Sequence, residues 1–225
     1  MDRTGSPATA TDVVALDSLD RMGRLDAAGY LLQGNTYFEQ GAIGRAVLAY
    51  ERGLRLRPAN RALRNNLRYV RQEAGLPEAT ASGFFLLRWW RIAGAALGAS
   101  LAYSLALVLW WLALAVFFWW YLRRRTMTEQ RRFVLLPAAT VLLILALVSY
   151  ALAESRVGVL NQTDEAVLVA PIADLRVSPT EDATVEATLQ GGLRFRVTDR
   201  VGDFVKVVLA DGRQGYLTTA EIVLI

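Results

Sequence analysis

The side chains that most often perform acid–base, nucleophilic and metal chemistry are missing from this chain. It contains neither cysteine nor histidine, which excludes disulfides, thiol nucleophiles, histidine bases and zinc sites built from these two residues. Carboxylate pairs remain, such as the adjacent Glu181 and Asp182. That pair is more simply solvated surface, and no Asp-x-Asp-x-Asp-Gly calcium-binding spacing occurs. The sequence therefore predicts a protein that is not an enzyme and that needs no cofactor or metal.

Two blocks without charged residues separate the polar parts of the chain. They cover residues 92–122 and 133–153, and each is at least as long as the roughly 20 residues that a helix needs to cross a bilayer. We interpret them as a transmembrane helical hairpin. The alternative, a buried helix pair in a soluble protein, would carry some polar face.

A short arginine-rich loop, residues 123–132, joins the two blocks. Cytoplasmic loops accumulate Lys and Arg, so the loop is expected in the cytoplasm and both flanking segments in the periplasm of a bacterial inner membrane. No signal peptide is recognisable in residues 1–15. We therefore expect either that one precedes this sequence or that the charge rule fails here. The arginines that carry the prediction are Arg123, Arg124, Arg125, Arg131 and Arg132.

These patterns predict a multi-domain membrane protein. Positive charge is concentrated in residues 1–91 and in the loop, whereas residues 154–225 are acidic. The net charge of +4 therefore does not indicate a nucleic-acid partner. The expected order is a disordered start (1–10), a helical segment (11–76), an interfacial linker (77–91), a first transmembrane helix (92–122), the loop (123–132), a second transmembrane helix (133–153), a linker (154–164) and a small all-β domain (165–225).

Within the helical segment, residues 27–58 place aromatic, small and proline residues at fixed intervals. The pattern resembles a tetratricopeptide repeat, a pair of antiparallel helices. Residues 59–74 are similar to the first helix of a second repeat. Arrays of this kind generally need about three units to be stable, so the segment is expected to lean on upstream sequence, the membrane or a partner. The matching residues are Tyr30, Gly34, Tyr37, Ala46, Tyr50 and Pro58, with Gly41 in the turn.

In this family the first helix of each repeat lines a peptide-binding groove. The resemblance implies a groove formed by Leu31, Asn35, Phe38 and Asn66, in which the two Asn side chains bond the backbone of a bound peptide. Leu31 stands where a clamp for a peptide carboxylate has a basic residue. The implied ligand is therefore a peptide recognised by its backbone.

The first apolar block contains a stripe of small residues, Gly94, Gly98, Ala102 and Ala106. Such a stripe lets another helix approach closely, although an alanine-rich helix without a partner would show the same pattern. Because neither block holds a charged residue, no ion or proton path is indicated. The hairpin is expected to anchor the protein.

After residue 155 the hydrophobic period becomes that of β-strands. The amino-acid sequence of residues 173–180, 189–197 and 204–217 resembles that of a bacterial SH3 domain, which implies a small closed barrel. The family's Asn, Arg and two Trp are replaced by Asp174, Ser178, Phe204 and Tyr216. Five runs are strand-like, namely 167–169, 175–177, 193–197, 204–209 and 215–217.

The order of repeat, membrane hairpin and SH3-like barrel resembles the BatE-type membrane proteins of Bacteroidetes aerotolerance operons. The resemblance implies a non-catalytic scaffold that works with von Willebrand factor A domain membrane proteins and a MoxR-type AAA+ ATPase. Two interaction folds without a catalytic constellation independently favour an adaptor, with the arginine loop available to membrane lipid. The alternative is a cell-wall protein whose SH3-like domain binds peptidoglycan.

Overall fold

The computed structural model describes residues 10–77, 85–123, 129–161 and 164–225. The chain divides into two compact units. The helix–sheet unit combines Met1–Ser82 with Gln162–Ile225, and the hairpin unit is Gly83–Asn161. Residues 1–9 of the predicted disordered start, residues 78–84 of the first linker, and Arg124 and Arg125 of the loop lie outside the described residues.

Four helices form the first part of the helix–sheet unit. They are α1 (Ala10–Arg21), α2 (Ala27–Glu39), α3 (Ile43–Leu56) and α4 (Arg61–Glu73). Asp26 begins α2 by accepting a hydrogen bond from the backbone N–H of Gly29 at 2.8 Å, and Asn60 caps α4 in the same way. Gly41, with φ of +73°, makes the turn between α2 and α3, a conformation that favours glycine.

The pairing of α2 with α3 depends on one small residue facing one large one. A Cβ atom at Gly34 would lie 2.4 Å from Cε1 of Tyr50, whose side chain is fully buried. Ala46, also buried, lies in the same apolar core. Gly34 therefore allows α2 and α3 to pack closely at Tyr50.

Seven antiparallel strands form the second part of this unit, in the order β3-β2-β6-β5-β4-β1-β7. The sheet curls around a core that includes Leu175, Phe195, Val207 and Leu217. It is open, with β3 and β7 at its edges, rather than the closed barrel that the SH3 resemblance implies. The strands are β1 (Glu165–Leu168), β2 (Ile172–Arg176), β3 (Val185–Gln190), β4 (Arg194–Val201), β5 (Phe204–Leu209), β6 (Gln214–Thr218) and β7 (Ile222–Leu224).

The helices and the sheet also meet in an apolar cluster that is distinct from the sheet's own core. Val167 of β1 is buried in the same cluster as Val47 and Leu76 of the helical part. The backbones approach closely at Gly44, where an added Cβ atom would lie 2.4 Å from the carbonyl oxygen of Leu168. The two parts that the sequence separates into different domains therefore fold together.

The hairpin unit contains α5 (Phe85–Leu97), α6 (Ala99–Arg123) and α7 (Glu129–Asn161). The predicted first membrane helix, 92–122, is divided at Gly98, whose φ of +74° ends α5. The predicted second helix, 133–153, extends at both ends, so that Arg131 and Arg132 belong to the first turn of α7. The predicted loop, 123–132, therefore overlaps the end of α6 and the start of α7.

Two helices of this unit are long and apolar enough to cross a membrane, over Ala99–Arg123 and Val134–Gly158. Only 17% of the most apolar window of each is buried within the structure. A core helix of a soluble protein would be mostly buried. The exposed apolar surface therefore favours the hairpin interpretation over the buried-pair alternative.

The small-residue stripe of the first block packs against α7. Ala102 is fully buried, and its carbonyl oxygen accepts a hydrogen bond from Oγ of Ser149 at 2.9 Å. A Cβ atom at Gly94 would lie 3.5 Å from the carbonyl oxygen of Leu152. Gly98 does not take part in this close contact, because a Cβ atom added there would meet nothing within 4 Å. The stripe thus holds the hairpin's own helices together.

Candidate functional site

The predicted peptide-binding positions lie on one side of α2 and α4. Leu31, Asn35 and Phe38 are spaced by four and three residues and so share one face of α2. The ring of Phe38 packs edge-on against the ring of Tyr69 on α4, with the centroids 5.7 Å apart. Tyr69 was not predicted, although it follows Asn66 by three residues and therefore occupies the same helix face. We call this surface, formed by Leu31, Asn35, Phe38, Asn66 and Tyr69, the α2–α4 groove.

The two Asn side chains of the groove bind each other. The Oδ1 atom of Asn35 accepts from Nδ2 of Asn66 at 2.8 Å and from the hydroxyl of Tyr50 at 2.8 Å. Burial raises the pKa of Tyr50 to about 12, so this hydroxyl remains a donor at neutral pH. The acceptor of Asn35 is therefore occupied. Among the described residues, its amide N–H groups have no hydrogen-bond partner and remain available to a ligand carbonyl.

Helix α1 covers the opposite side of α2 through two carboxylates. Asp17 accepts from the Tyr37 hydroxyl at 2.6 and 2.7 Å and from Nε2 of Gln33 at 2.8 Å. Asp20 accepts from the Tyr30 hydroxyl at 2.6 Å. Burial and the hydrogen bond to Asp17 raise the pKa of Tyr37 to about 12. This face of α2 is filled by the chain itself, which leaves the α2–α4 groove as the accessible one.

Ion pairs join the helices to the sheet. Glu51 of α3 binds Arg71 of α4 at 2.7 Å and Arg194 of β4 at 3.4 Å. Arg194 in turn binds Glu165 of β1 at 2.6 Å. Although burial alone lowers the pKa of Arg194, the carboxylates of Glu51 and Glu165 hold it above its ordinary value. We call this set, Glu51, Arg71, Glu165 and Arg194, the ion-pair network.

Helix α3 also binds the backbone of the last strand. Arg52 donates to the carbonyl oxygen of Leu224 at 2.8 Å and to Asp20 at 2.5 Å. Arg55, one turn later, donates to the carbonyl oxygen of Ile225 at 2.5 Å. Sequence reasoning missed these contacts, because partners so far apart along the chain leave no local signal. The sequence indicated only that α3, a helix expected to pack against its neighbours, carries several charged residues.

A cleft of about 820 Å³ lies between the end of α4 and the sheet. Arg71, Leu76 and Pro77 line it from the helical side. The sheet contributes residues of β1, β3, β4 and β5 and of the β5–β6 turn, among them Glu165, Thr188, Gln190, Arg194, Arg196, Thr198, Asp211 and Arg213. Sequence analysis did not predict this cleft, since it exists only where the two parts meet.

The remaining residues that the sequence singles out lie in a turn, in β2 and at the end of α6. Glu181 and Asp182 are exposed in a turn between β2 and β3. Among the residues that the structure describes, no group of three or more His, Cys, Asp or Glu side chains could hold a metal ion. Asp174 accepts a hydrogen bond from Thr188 at 3.0 Å, a contact between neighbouring strands. Of the arginines that carry the topology prediction, Arg123 ends α6 and stacks over Trp119, with its Cζ atom 5.6 Å from the ring centroid.

Comparison with known proteins adds no relative. No family model matches this chain, and no curated protein or solved structure matches it at a significant level.

Proposed function

We propose that this protein is a two-pass membrane scaffold whose helix–sheet unit binds protein partners on one side of the membrane. The observation that carries the proposal is the ion-pair network together with the shared core around Val47 and Val167. These contacts join the segment before the two apolar helices to the segment after them. A unit assembled from both segments requires that they share one compartment, which an even number of crossings provides.

The orientation follows from charge. The predicted loop is rich in arginine, and such loops remain in the cytoplasm, so we assign the helix–sheet unit to the periplasm. The binding role follows from the α2–α4 groove, where Leu31, Phe38 and Tyr69 supply apolar surface around the Asn35 amide. An extended peptide is a suitable ligand because its carbonyl groups match the free N–H groups of that amide.

The BatE-type resemblance extends this proposal to specific partners. It implies a von Willebrand factor A domain membrane protein and a MoxR-type ATPase in an envelope assembly. Purification from native membranes in mild detergent should recover these partners with the wild-type chain. Substitution Phe38→Ala should reduce their yield, whereas Val14→Ala, at an exposed position on α1, should not.

The absence of cysteine allows a direct test of the topology. Single cysteines replacing Glu39 on α2 and Glu186 on β3, both exposed, should react with a membrane-impermeant maleimide added to spheroplasts. A cysteine replacing Thr126 in the loop should react only after permeabilisation. Reaction of the first two cysteines from opposite sides would refute the shared unit, and reaction of all three from the cytoplasm would refute the periplasmic assignment.

A further inference from the structure

Among the residues that line the cleft between α4 and the sheet, guanidinium groups outnumber carboxylates. Four guanidinium groups line it, against two carboxylates. The first carboxylate, Glu165, is engaged by Arg194 at 2.6 Å and by Arg55 at 3.9 Å. The second, Asp211, is engaged by Arg213 at 2.7 Å. The four cationic residues are Arg71, Arg194, Arg196 and Arg213.

Two of these arginines are fixed and two can reach a ligand. Arg71 and Arg194 both hold Glu51, so their positions are set by the fold. The side chain of Arg196 is 64% exposed, and its contact with Asp164 is long, at 3.6 Å. The side chain of Arg213 is 46% exposed. Exposed pairs of this kind contribute about 0–1 kcal/mol, so a ligand carboxylate can replace the internal partner at little cost.

Positive charge continues from the cleft along α4. Arg64 and Arg68 precede Arg71 by seven and three residues and therefore lie along one edge of the helix. Arg64 donates to the carbonyl oxygens of Ala59 and Asn60, and Arg68 is exposed. The α2–α4 groove lies on the other side of this helix, because Asn66 and Tyr69 point about 150° away from this edge at 100° per residue. The cleft is thus a separate surface from the groove.

The lining also contains features that suit a polypeptide. Leu76, Pro77 and Leu193 supply an apolar wall, and Thr188 and Gln190 supply polar side chains. These last two belong to β3, which lies at the edge of the sheet and pairs only with β2 among the described strands. An edge strand offers backbone hydrogen bonds to an added extended segment.

We propose that this cleft binds an acidic, extended segment of a partner protein, with Arg196 and Arg213 receiving its carboxylates. The proposal goes beyond peptide binding in the α2–α4 groove and does not depend on it. Charge complementarity selects the acidic side chains, and the edge strand with its apolar neighbours selects a polypeptide over a bare anion.

The test uses the full chain in nanodiscs of zwitterionic lipid and a short fluorescein-labelled peptide of alternating Glu and Thr. Fluorescence anisotropy should show that this peptide binds and that the same peptide with Gln for Glu does not. The double variant Arg196→Gln, Arg213→Gln should weaken binding about fivefold at low salt, since each exposed pair contributes up to about 1 kcal/mol. The difference should shrink at about 0.3 M salt.

Two further variants separate a specific cleft from general positive charge. Asp211→Asn removes a competing carboxylate and retains an acceptor for the backbone N–H of Arg213, so it should strengthen binding. Arg200→Gln removes an exposed cation from the same strand as Arg196 but outside the cleft lining, and it should leave binding unchanged. Equal loss with Arg200→Gln, weaker binding with Asp211→Asn, or equal binding of the Gln peptide would overturn the proposal. So would preferential binding of polyphosphate or of anionic lipid vesicles.

Discussion

Glu51 is the residue on which the union of helices and sheet most depends. Its carboxylate is 10% exposed and lies between guanidinium groups from α4 and β4. Such a group is costly to bury and costly to remove, because its loss takes the carboxylate from the buried Arg71 and leaves Arg194 with Glu165 alone. The residue therefore contributes more to the choice of this one arrangement than to net stability.

Substitution Glu51→Gln should lower the free energy of unfolding of the helix–sheet unit by about 2–4 kcal/mol, since removing this carboxylate leaves the buried Arg71 without its ion-pair partner. Urea unfolding of the full chain, monitored by far-ultraviolet circular dichroism, would measure this change in the free energy of unfolding. Glu39→Gln, at an exposed position on α2, is the matched control and should have no measurable effect. Similar stabilities for the two variants would mean that the network is not a stabilising junction.

At the scale of elements, sequence reasoning succeeded where the pattern was local. The turn between α2 and α3 follows from Gly41, and both long apolar helices follow from the absence of charge. Strand β3 was missed because only Ala187 and Leu189 of its six residues are even partly buried, which leaves a weak hydrophobic pattern. The break at Gly98 was hidden because the same glycine fits a helix-packing stripe equally well.

The docking of α1 should depend on pH in the alkaline range. The pKa of Tyr37 is raised from its ordinary value near 10 to about 12, so its contribution is complete below pH 10 and is lost as the pH rises through 12. At pH 8, Tyr37→Phe should lower the free energy of unfolding by about 1–2 kcal/mol through the lost hydrogen bonds to Asp17. The difference from wild type should narrow at pH 11–12.

The matched control for this prediction is Tyr69→Phe. Tyr69 is exposed, its hydroxyl makes no hydrogen bond to a described residue, and its ring contact with Phe38 survives the change. Urea unfolding at pH 8 and at pH 11–12 should give this variant the same free energy of unfolding as wild type. A Tyr37→Phe deficit of equal size at pH 8 and at pH 12 would show that the tyrosine proton does not matter.

At the scale of the whole molecule, the structure contains the helices, the apolar hairpin and the sheet that the sequence predicts, but the helices before the hairpin and the sheet form one unit. A core such as that of Val47 and Val167, or a salt bridge such as that of Glu51 and Arg194, joins residues on either side of the hairpin, and no periodicity encodes such a distance. The cleft, which depends on this junction, was unpredictable for the same reason. The α2–α4 groove could be proposed because helical spacing places its residues on one face of α2 and one face of α4.

The shared core predicts that the two halves complement each other as fragments. Residues 164–225 alone would expose Val167, Leu193 and Val223, which pack against the helical core, and should be poorly soluble. Co-expression with residues 10–77 should yield a soluble complex, detectable by co-elution in size-exclusion chromatography. Gly44→Val in the helical fragment should abolish it, because even a Cβ atom there meets the backbone of Leu168.

Asp26→Ala in the same helical fragment removes an N-cap that is remote from the junction. This variant should still form the complex, with a loss of about 1 kcal/mol in the stability of the helices. A sheet fragment that is soluble and folded without the helices would contradict the shared core.

Because the hairpin separates the two parts of the helix–sheet unit along the chain, these parts are synthesised at different times. The helical part leaves the ribosome first, yet the surface around Gly44 and Leu76 meets its partner only after both apolar helices and the β-strands have been translated. The nascent helices therefore keep an uncovered apolar face until the strands of the sheet have been translated. Maturation of this unit is consequently coupled to synthesis of the sheet, and a chain released during translation of α7 would lack the strands that cover the helices.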